Sequence, residues 1–347
     1  MKIIFDLGHP SHYHLYKYVI DEVERRGDDV LIIVRDREGM VSDLIKADGR
    51  ECIIIDKEIE KGLFKKLLKM IVVDVDIFRI ASKFKPDLFV SMGSPYSGHV
   101  GFLMRKPHLS FGDTEVAKMV ILLLIPFTTE MIVPSSYDSE FSYRNTLRIN
   151  SYKVLAYLHP DYFKPNREVF HELNLSEIDK IAVLRFSSYD ASHDIGKKGI
   201  DESSRTRLIL EISKLAKVFI TSEVDLGNEL EKYRLHLDPS RLHDLLAFAD
   251  LYVGEGATMA CEAAVLGIPA VFVHRNTGGI LEDLEREGLL LNFHDPNGDL
   301  NNILEYCRSV LSNPEIKKNH MENRQKMLNE KEDLTEAIIR EIDRFRN

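Results

Sequence analysis

The chain has 347 residues, enough for about two domains, and its 44% hydrophobic and 29% charged residues are those of a globular protein with a sizeable core, not of a disordered one. With 46 basic against 56 acidic residues the net charge is −10, which argues against a general attraction to nucleic acid. Cys52, Cys261 and Cys307 are widely spaced and set in apolar patterns, which argues against a disulfide framework or a zinc site and points to a reducing cytoplasm.

The first residues enter an apolar run at 2–7 with no long apolar leader, so secretion is not expected. The longest greasy stretch, 120–127, is far too short to span a bilayer. A turn at Gly8-His9-Pro10-Ser11-His12-Tyr13-His14 opens a helix that runs to Arg26 and ends at Gly27, with Leu15, Val19 and Val23 on one face. A strand follows at 30–34. Helices at 40–47 and 78–84 and strands at 52–55, 88–91, 108–111 and 131–133 continue the alternation, which predicts a parallel sheet.

Histidine is the side chain whose ordinary pKa suits proton transfer near neutrality, so His12, with His9 as its rival, is a candidate catalytic base. Each is equally well explained as a loop histidine that caps the helix or packs locally. A metal site built from His9, His12 and His14 lacks a nearby acid cluster, and no metal is expected. Residues 61–73 are basic and amphipathic, open either to packing of Leu63, Leu67 and Met70 on the sheet or to a peripheral contact with a membrane surface. The small residues of 91–98 would let a ligand approach the sheet edge. Asp113 and Glu115, beyond the strand at 108–111, put two carboxylates at a carboxyl end on the same side as His12, to orient it or to hold acceptor hydroxyls. Helix capping by Asp113 or Thr114 is the plain alternative.

Pro160 and Pro165 interrupt the pattern near 152–167, where one domain gives way to the next. A helix at 167–173 and a strand at 181–185 lead into a polar loop with Arg185, Ser187, Ser188, His193 and Asp194, able to meet a diphosphate or a sugar. Pairing of Arg185 with Asp190 or Asp194 would leave that loop structural. After a strand at 218–220 and a helix at 241–250, residues 251–273 read as strand, glycine turn, helix and strand, a parallel βαβ unit. Gly254 and Gly256 let backbone come close to a ligand, and the amides around Ala257 and Thr258 would face an anion with the helix dipole behind them. Glu262, two turns in, is placed for ribose hydroxyls. A dinucleotide fingerprint fits poorly, because Met259 stands at the third glycine position, so NAD is not expected. Helices at 303–311, 315–328 and 333–345 close the chain.

The run Glu262-Ala263-Ala264-Val265-Leu266-Gly267-Ile268-Pro269, preceded by Gly256-Ala257-Thr258, resembles the nucleotide-sugar motif of GT-B glycosyltransferases and non-hydrolysing UDP-N-acetylglucosamine 2-epimerases. With 185–194 and 157–160 added, the chain resembles, over nearly its whole length, an uncharacterised prokaryotic domain-of-unknown-function family of GT-B-like proteins. The resemblance implies a GT-B-like α/β fold of two Rossmann-like domains with parallel sheets facing a central cleft. Residues 1–155 would form the acceptor-side domain and 156–330 the nucleotide-sugar domain, with 331–347 a C-terminal helix crossing back to the first. It also implies that the turn amides hold the diphosphate, Glu262 the ribose, and 236–242 the base, with Asn276 and Thr277 near the sugar or phosphate. The implied activity is metal-independent transfer from a nucleotide-diphospho-sugar, expected to be a UDP-sugar, to an acceptor, with no cofactor beyond that substrate. A UDP-sugar 2-epimerase type of enzyme and a non-catalytic nucleotide-sugar binder remain open alternatives. The expected location is cytoplasmic, with or without contact at the membrane inner face. Glu255 departs from the pattern by adding a negative charge beside the phosphate turn, for Arg185 or Arg275 to offset.

Overall fold

The apolar runs of the first half form seven parallel strands: β1 Lys2–Leu7, β2 Asp29–Val34, β3 Ile53–Ile54, β4 Leu88–Met92, β5 His108–Phe111, β6 Glu130–Pro134 and β7 Thr146–Ile149. Five more, β8 Ile181–Phe186, β9 Lys217–Ser222, β10 Leu251–Gly254, β11 Ala270–Val273 and β12 Leu290–Phe293, make a second parallel sheet. The computed structural model describes residues 1–35, 39–55, 63–112, 122–137, 145–187, 199–275 and 278–346, with the helical backbone alone for 63–68. The chain divides into one unit of Met1–Tyr157 with Glu332–Asn347 and another of Leu158–Lys331. Each is a Rossmann-like α/β unit, two parallel sheets in all.

The inner strands are buried along nearly their whole length, as β1 and β8 show, which is what a parallel sheet covered on both faces demands. The first sheet runs β3-β2-β1-β4-β5-β6-β7 and the second β12-β11-β10-β8-β9. Both orders reverse once, between β1 and β4 in the first and between β8 and β10 in the second. At such a point the connections leave in opposite directions and open a crevice at the carboxyl ends of the two strands. β7 and β12 are absent from the pattern read from the sequence, and both are edge strands with only partial burial.

The helix Leu63–Phe84 is longer than the 78–84 expected. It buries Val73, Ile77 and Ala81 and leaves Ile71, Val72, Val75 and Phe78 exposed, with Met70 half-buried. Among the described residues no helix is long and apolar enough to cross a membrane. The last helix, Leu334–Asp343, belongs to the first unit, where Leu334, Ala337, Ile338 and Ile342 are buried. Thr335 Oγ1 donates to Ala156 O at 3.1 Å, and Arg346 Nη1 donates at 2.7 Å to Asp28, which also takes the amino terminus at 2.7 Å.

His108, on β5, is a core histidine of the first unit. Its Nε2 lies 2.8 Å from Ser91 Oγ and its Nδ1 lies 3.2 Å from Thr128 Oγ1, while Tyr16 Oη donates to Ser91 O at 2.6 Å. Burial pushes its imidazole down from 6.5 to about 4. Between those values the unfolded chain holds a proton that the folded chain does not, so stability falls as pH falls through that window, by about 3 kcal/mol in all. Urea unfolding at a series of pH values should show that slope in the native protein and a flatter one in His108→Asn; equal slopes would contradict the assignment.

Candidate functional site at the switch points

In the second unit the site is built from the ends of β8 and β10. Arg185 stands beside Gly254 in register, at the crevice where the strand order reverses. Gly254 is obligatory by space alone: a Cβ there would lie 2.6 Å from Tyr252 Oη, 2.8 Å from Arg185 Cβ and 2.9 Å from Arg185 O. At Gly256 a Cβ would meet Arg185 Cγ at 3.1 Å. Tyr252 is fully buried, burial holds its phenol protonated, and its hydroxyl donates to Gly256 O at 3.2 Å, pinning the turn from below. Gly256 then caps the helix Ala257–Val265 with an extended backbone and no side-chain hydrogen bond. The first-turn amides of a helix have no partner within it, so those of Ala257 and Thr258 point outward at its positive end. Ala257 is exposed and Thr258 half-buried.

Glu255 sits in the middle of this turn and is buried. Its Oε2 accepts from Ser187 N–H at 3.0 Å and its Oε1 from Ile200 N–H at 2.6 Å, while its own N–H donates to Arg185 O at 3.0 Å. The carboxylate ties together the chain on either side of 188–198. Backbone donors thus meet both of its oxygens. Arg185 pairs with Glu223, its stem lying against Gly256. Pairing of Arg185 with Asp190 or Asp194 falls outside the described residues.

Glu262, on the buried side of the helix, meets His243 of the preceding helix Leu242–Phe248, Oε1 to Nε2 at 3.1 Å. Burial works against charge on His243, but the Glu262 carboxylate beside it, through charge and hydrogen bond, and then Asp244, raise its pKa above the ordinary value. Phe163 stands edge-on to the His243 ring at 6.3 Å. His243 was not singled out by sequence reasoning, although it lies one residue beyond the 236–242 segment assigned to the base.

In the first unit the turn after β1 places His9 and His12 at the β1–β4 crevice. His9 is the N-cap of the helix Pro10–Arg25, its Nδ1 accepting from Ser11 N–H at 3.2 Å. His12 Nδ1 accepts from Gly8 N–H at 3.2 Å. A backbone N–H can only donate, so Nδ1 carries the lone pair and the neutral ring holds its proton on Nε2. In this arrangement His12 presents a donor. Asp113, Glu115, Ser188, His193, Asn276 and Thr277 lie outside the described residues.

Residues 1–342 match the family described as a protein of unknown function, DUF354. The chain belongs to this family. A relative from Methanocaldococcus jannaschii, the uncharacterized protein MJ0665, is 25% identical over 283 residues, 78% of this chain and 81% of that one. The UDP-GlcNAc 2-epimerase of Neisseria meningitidis, solved with UDP-GlcNAc, has the same fold at a TM-score of 0.70 and 11% identity, over 99% of this chain and 100% of that one. MurG of Acinetobacter baumannii follows it at a TM-score of 0.59 and 14% identity, over 99% and 100%. The two sheets of this DUF354 chain are thus those of a GT-B-like fold.

The Glu255 tie generates a direct test. In Glu255→Gln the amide NH2 would face one of the two backbone N–H groups, leaving a buried donor unpaired at a cost of about 1–3 kcal/mol. The urea midpoint should drop accordingly; an unchanged midpoint would contradict a buried two-ended clamp.

Proposed function

We propose that the second unit binds a nucleotide-diphospho-sugar, with a UDP-sugar the expected donor, and that the protein transfers its glycosyl group to an acceptor. The observation that carries this reading is the Gly254–Thr258 turn, with outward amides at a strand-order reversal and a buried carboxylate, Glu262, two turns further along the same helix. The amides suit a diphosphate, which gains from both hydrogen bonds and the dipole. An ionised carboxylate has about four lone-pair sites, and a carboxylate that also meets His243 can accept from a vicinal diol. His243 would hold that carboxylate in one orientation. The dissimilar proteins that share the fold, one solved with UDP-GlcNAc, support the same ligand class.

The chemistry follows from what the site offers. Stabilisation of the departing diphosphate falls to the turn amides, whose charge complementarity grows as the glycosidic bond breaks and needs no reorganisation. Metal is not required by this scheme. Deprotonation of an acceptor by His12 needs a lone pair on Nε2, hence exchange of the Gly8 hydrogen bond for a proton on Nδ1. That requirement favours a second reading, an epimerase of the 2-epimerase type, in which a histidine with its proton on Nε2 donates and other groups accept.

Isothermal titration with UDP, GDP, dTDP, CDP and their sugars tests the donor site. One nucleotide series should bind, and Glu262→Ala, checked to be folded, should weaken it by about 1–3 kcal/mol. Absence of binding by folded native protein would contradict the reading. Incubation of the bound sugar without any acceptor then separates the reactions: a change of configuration at the sugar carbon marks the epimerase, whereas a donor left unchanged until an acceptor is added marks the transferase, and one unchanged with every acceptor a binder.

A further inference from the structure

The most developed polar cluster outside the second unit surrounds Asp6, which no motif in the sequence marks. Asp6 lies at the carboxyl end of β1 and is fully buried. Its Oδ1 accepts from Arg35 Nε at 2.9 Å, and its Oδ2 accepts from Ser97 Oγ at 2.7 Å and from Ser94 Oγ. Burial works against the charged carboxylate, but the Arg35 charge and the two serine hydroxyls outweigh it and hold the group below the usual carboxylate range.

Arg35 follows β2, its N–H donating to Leu7 O at 2.9 Å, so its stem rises beside the end of β1. The guanidinium lies over the Tyr96 ring, 4.8 Å from the centroid. Were Arg35 only the counter-ion of Asp6, the tightest geometry would be a two-pronged pair. The serines occupy Oδ2 instead, and Arg35 uses Nε alone. Among the described residues neither Nη1 nor Nη2 has a hydrogen-bond partner, and the side chain is 23% exposed. The fork is thus fixed from behind and from one face, and reachable in front. Gly8 makes room for it: a Cβ there would lie 2.9 Å from Arg35 Nη2. The same turn carries His9 and His12, and the whole group stands at the β1–β4 reversal, where an open parallel sheet takes its ligands.

We propose that Arg35, held by Asp6 and Tyr96 at the β1–β4 crevice, is the recognition element for an oxyanion, a phosphoryl or carboxylate group on a small-molecule ligand of the first unit. A planar fork with two donors matches the oxygens of either group, and one already fixed by its own partners loses little freedom on binding. That this ligand is the acceptor rests on the transfer reading above; the oxyanion site itself does not.

Arginine-specific modification by phenylglyoxal, read at Arg35 by peptide mass spectrometry on the full chain, tests it. Arg35 should react in the free protein and be protected by inorganic phosphate or acetate against a sodium chloride control of equal ionic strength. At ten times the dissociation constant the rate should fall about tenfold, as the unliganded fraction does. Protection by phosphate alone assigns a phosphoryl group, and protection by acetate alone a carboxylate. The variant Gly8→Ala adds a methyl group that only the flexible end of Arg35 must avoid, so it should fold and lose the protection. An Arg35 that never reacts, protection no greater than in chloride, or full protection in Gly8→Ala would each overturn the proposal. UDP binding measured on the same samples keeps the two readings apart. Protection without UDP binding removes the donor site and leaves this one, and UDP binding without protection does the reverse.

Discussion

A parallel sheet can be covered on both faces only if its connections pass over both, and that forces the strand order to reverse somewhere along the sheet. Both candidate sites of this DUF354 chain stand where that happens. At the β8–β10 reversal Arg185, Gly254 and Gly256 come to lie side by side although more than sixty residues separate Arg185 from the glycines. Between β1 and β4 the same constraint brings together Asp6, His12 and Ser94. At both points a helix starts directly after a strand end, with first-turn amides that have no partner within the helix.

The two crevices are furnished differently. That of the second unit is largely backbone: its glycines are enforced by the Tyr252 hydroxyl and the Arg185 stem, and the acidic residue in the turn is spent on Ser187 and Ile200 amides. A surface of amides suits a ligand whose charge is spread over several phosphate oxygens. In the first unit side chains carry the polarity, with a buried carboxylate at the base and a cation above it. Such a pair is costly to assemble, and removing either member alone leaves the other uncompensated.

Much of this was legible in the chain itself, for reasons of range. The turn at Gly254–Thr258 and the helix stop at Gly267 are local features, and local sterics write themselves into local residues. So do the inner strands, whose two-sided burial requires continuous apolar runs. The edge strands β7 and β12 escaped because an edge needs no such run. Glu255 was legible as a charge but not as a clamp, since its two donors come from residues 68 and 55 positions away. The Asp6 cluster escaped altogether: its members lie 29, 88 and 91 residues from Asp6, and a single aspartate in an apolar strand announces nothing. His9 and His12 were legible as candidates, but only the Gly8 hydrogen bond reveals which nitrogen of His12 holds the proton.

The central claim is that a nucleotide diphosphate occupies the β8–β10 crevice and is held by backbone amides. Hydrogen-exchange mass spectrometry of the full chain with and without UDP addresses those amides themselves. The account predicts slower exchange in peptides covering 181–187 and 251–262 once UDP is added, because amides that donate to phosphate oxygens are withdrawn from solvent. UDP binding that leaves those peptides unchanged, or slows only peptides of the first unit, would contradict it.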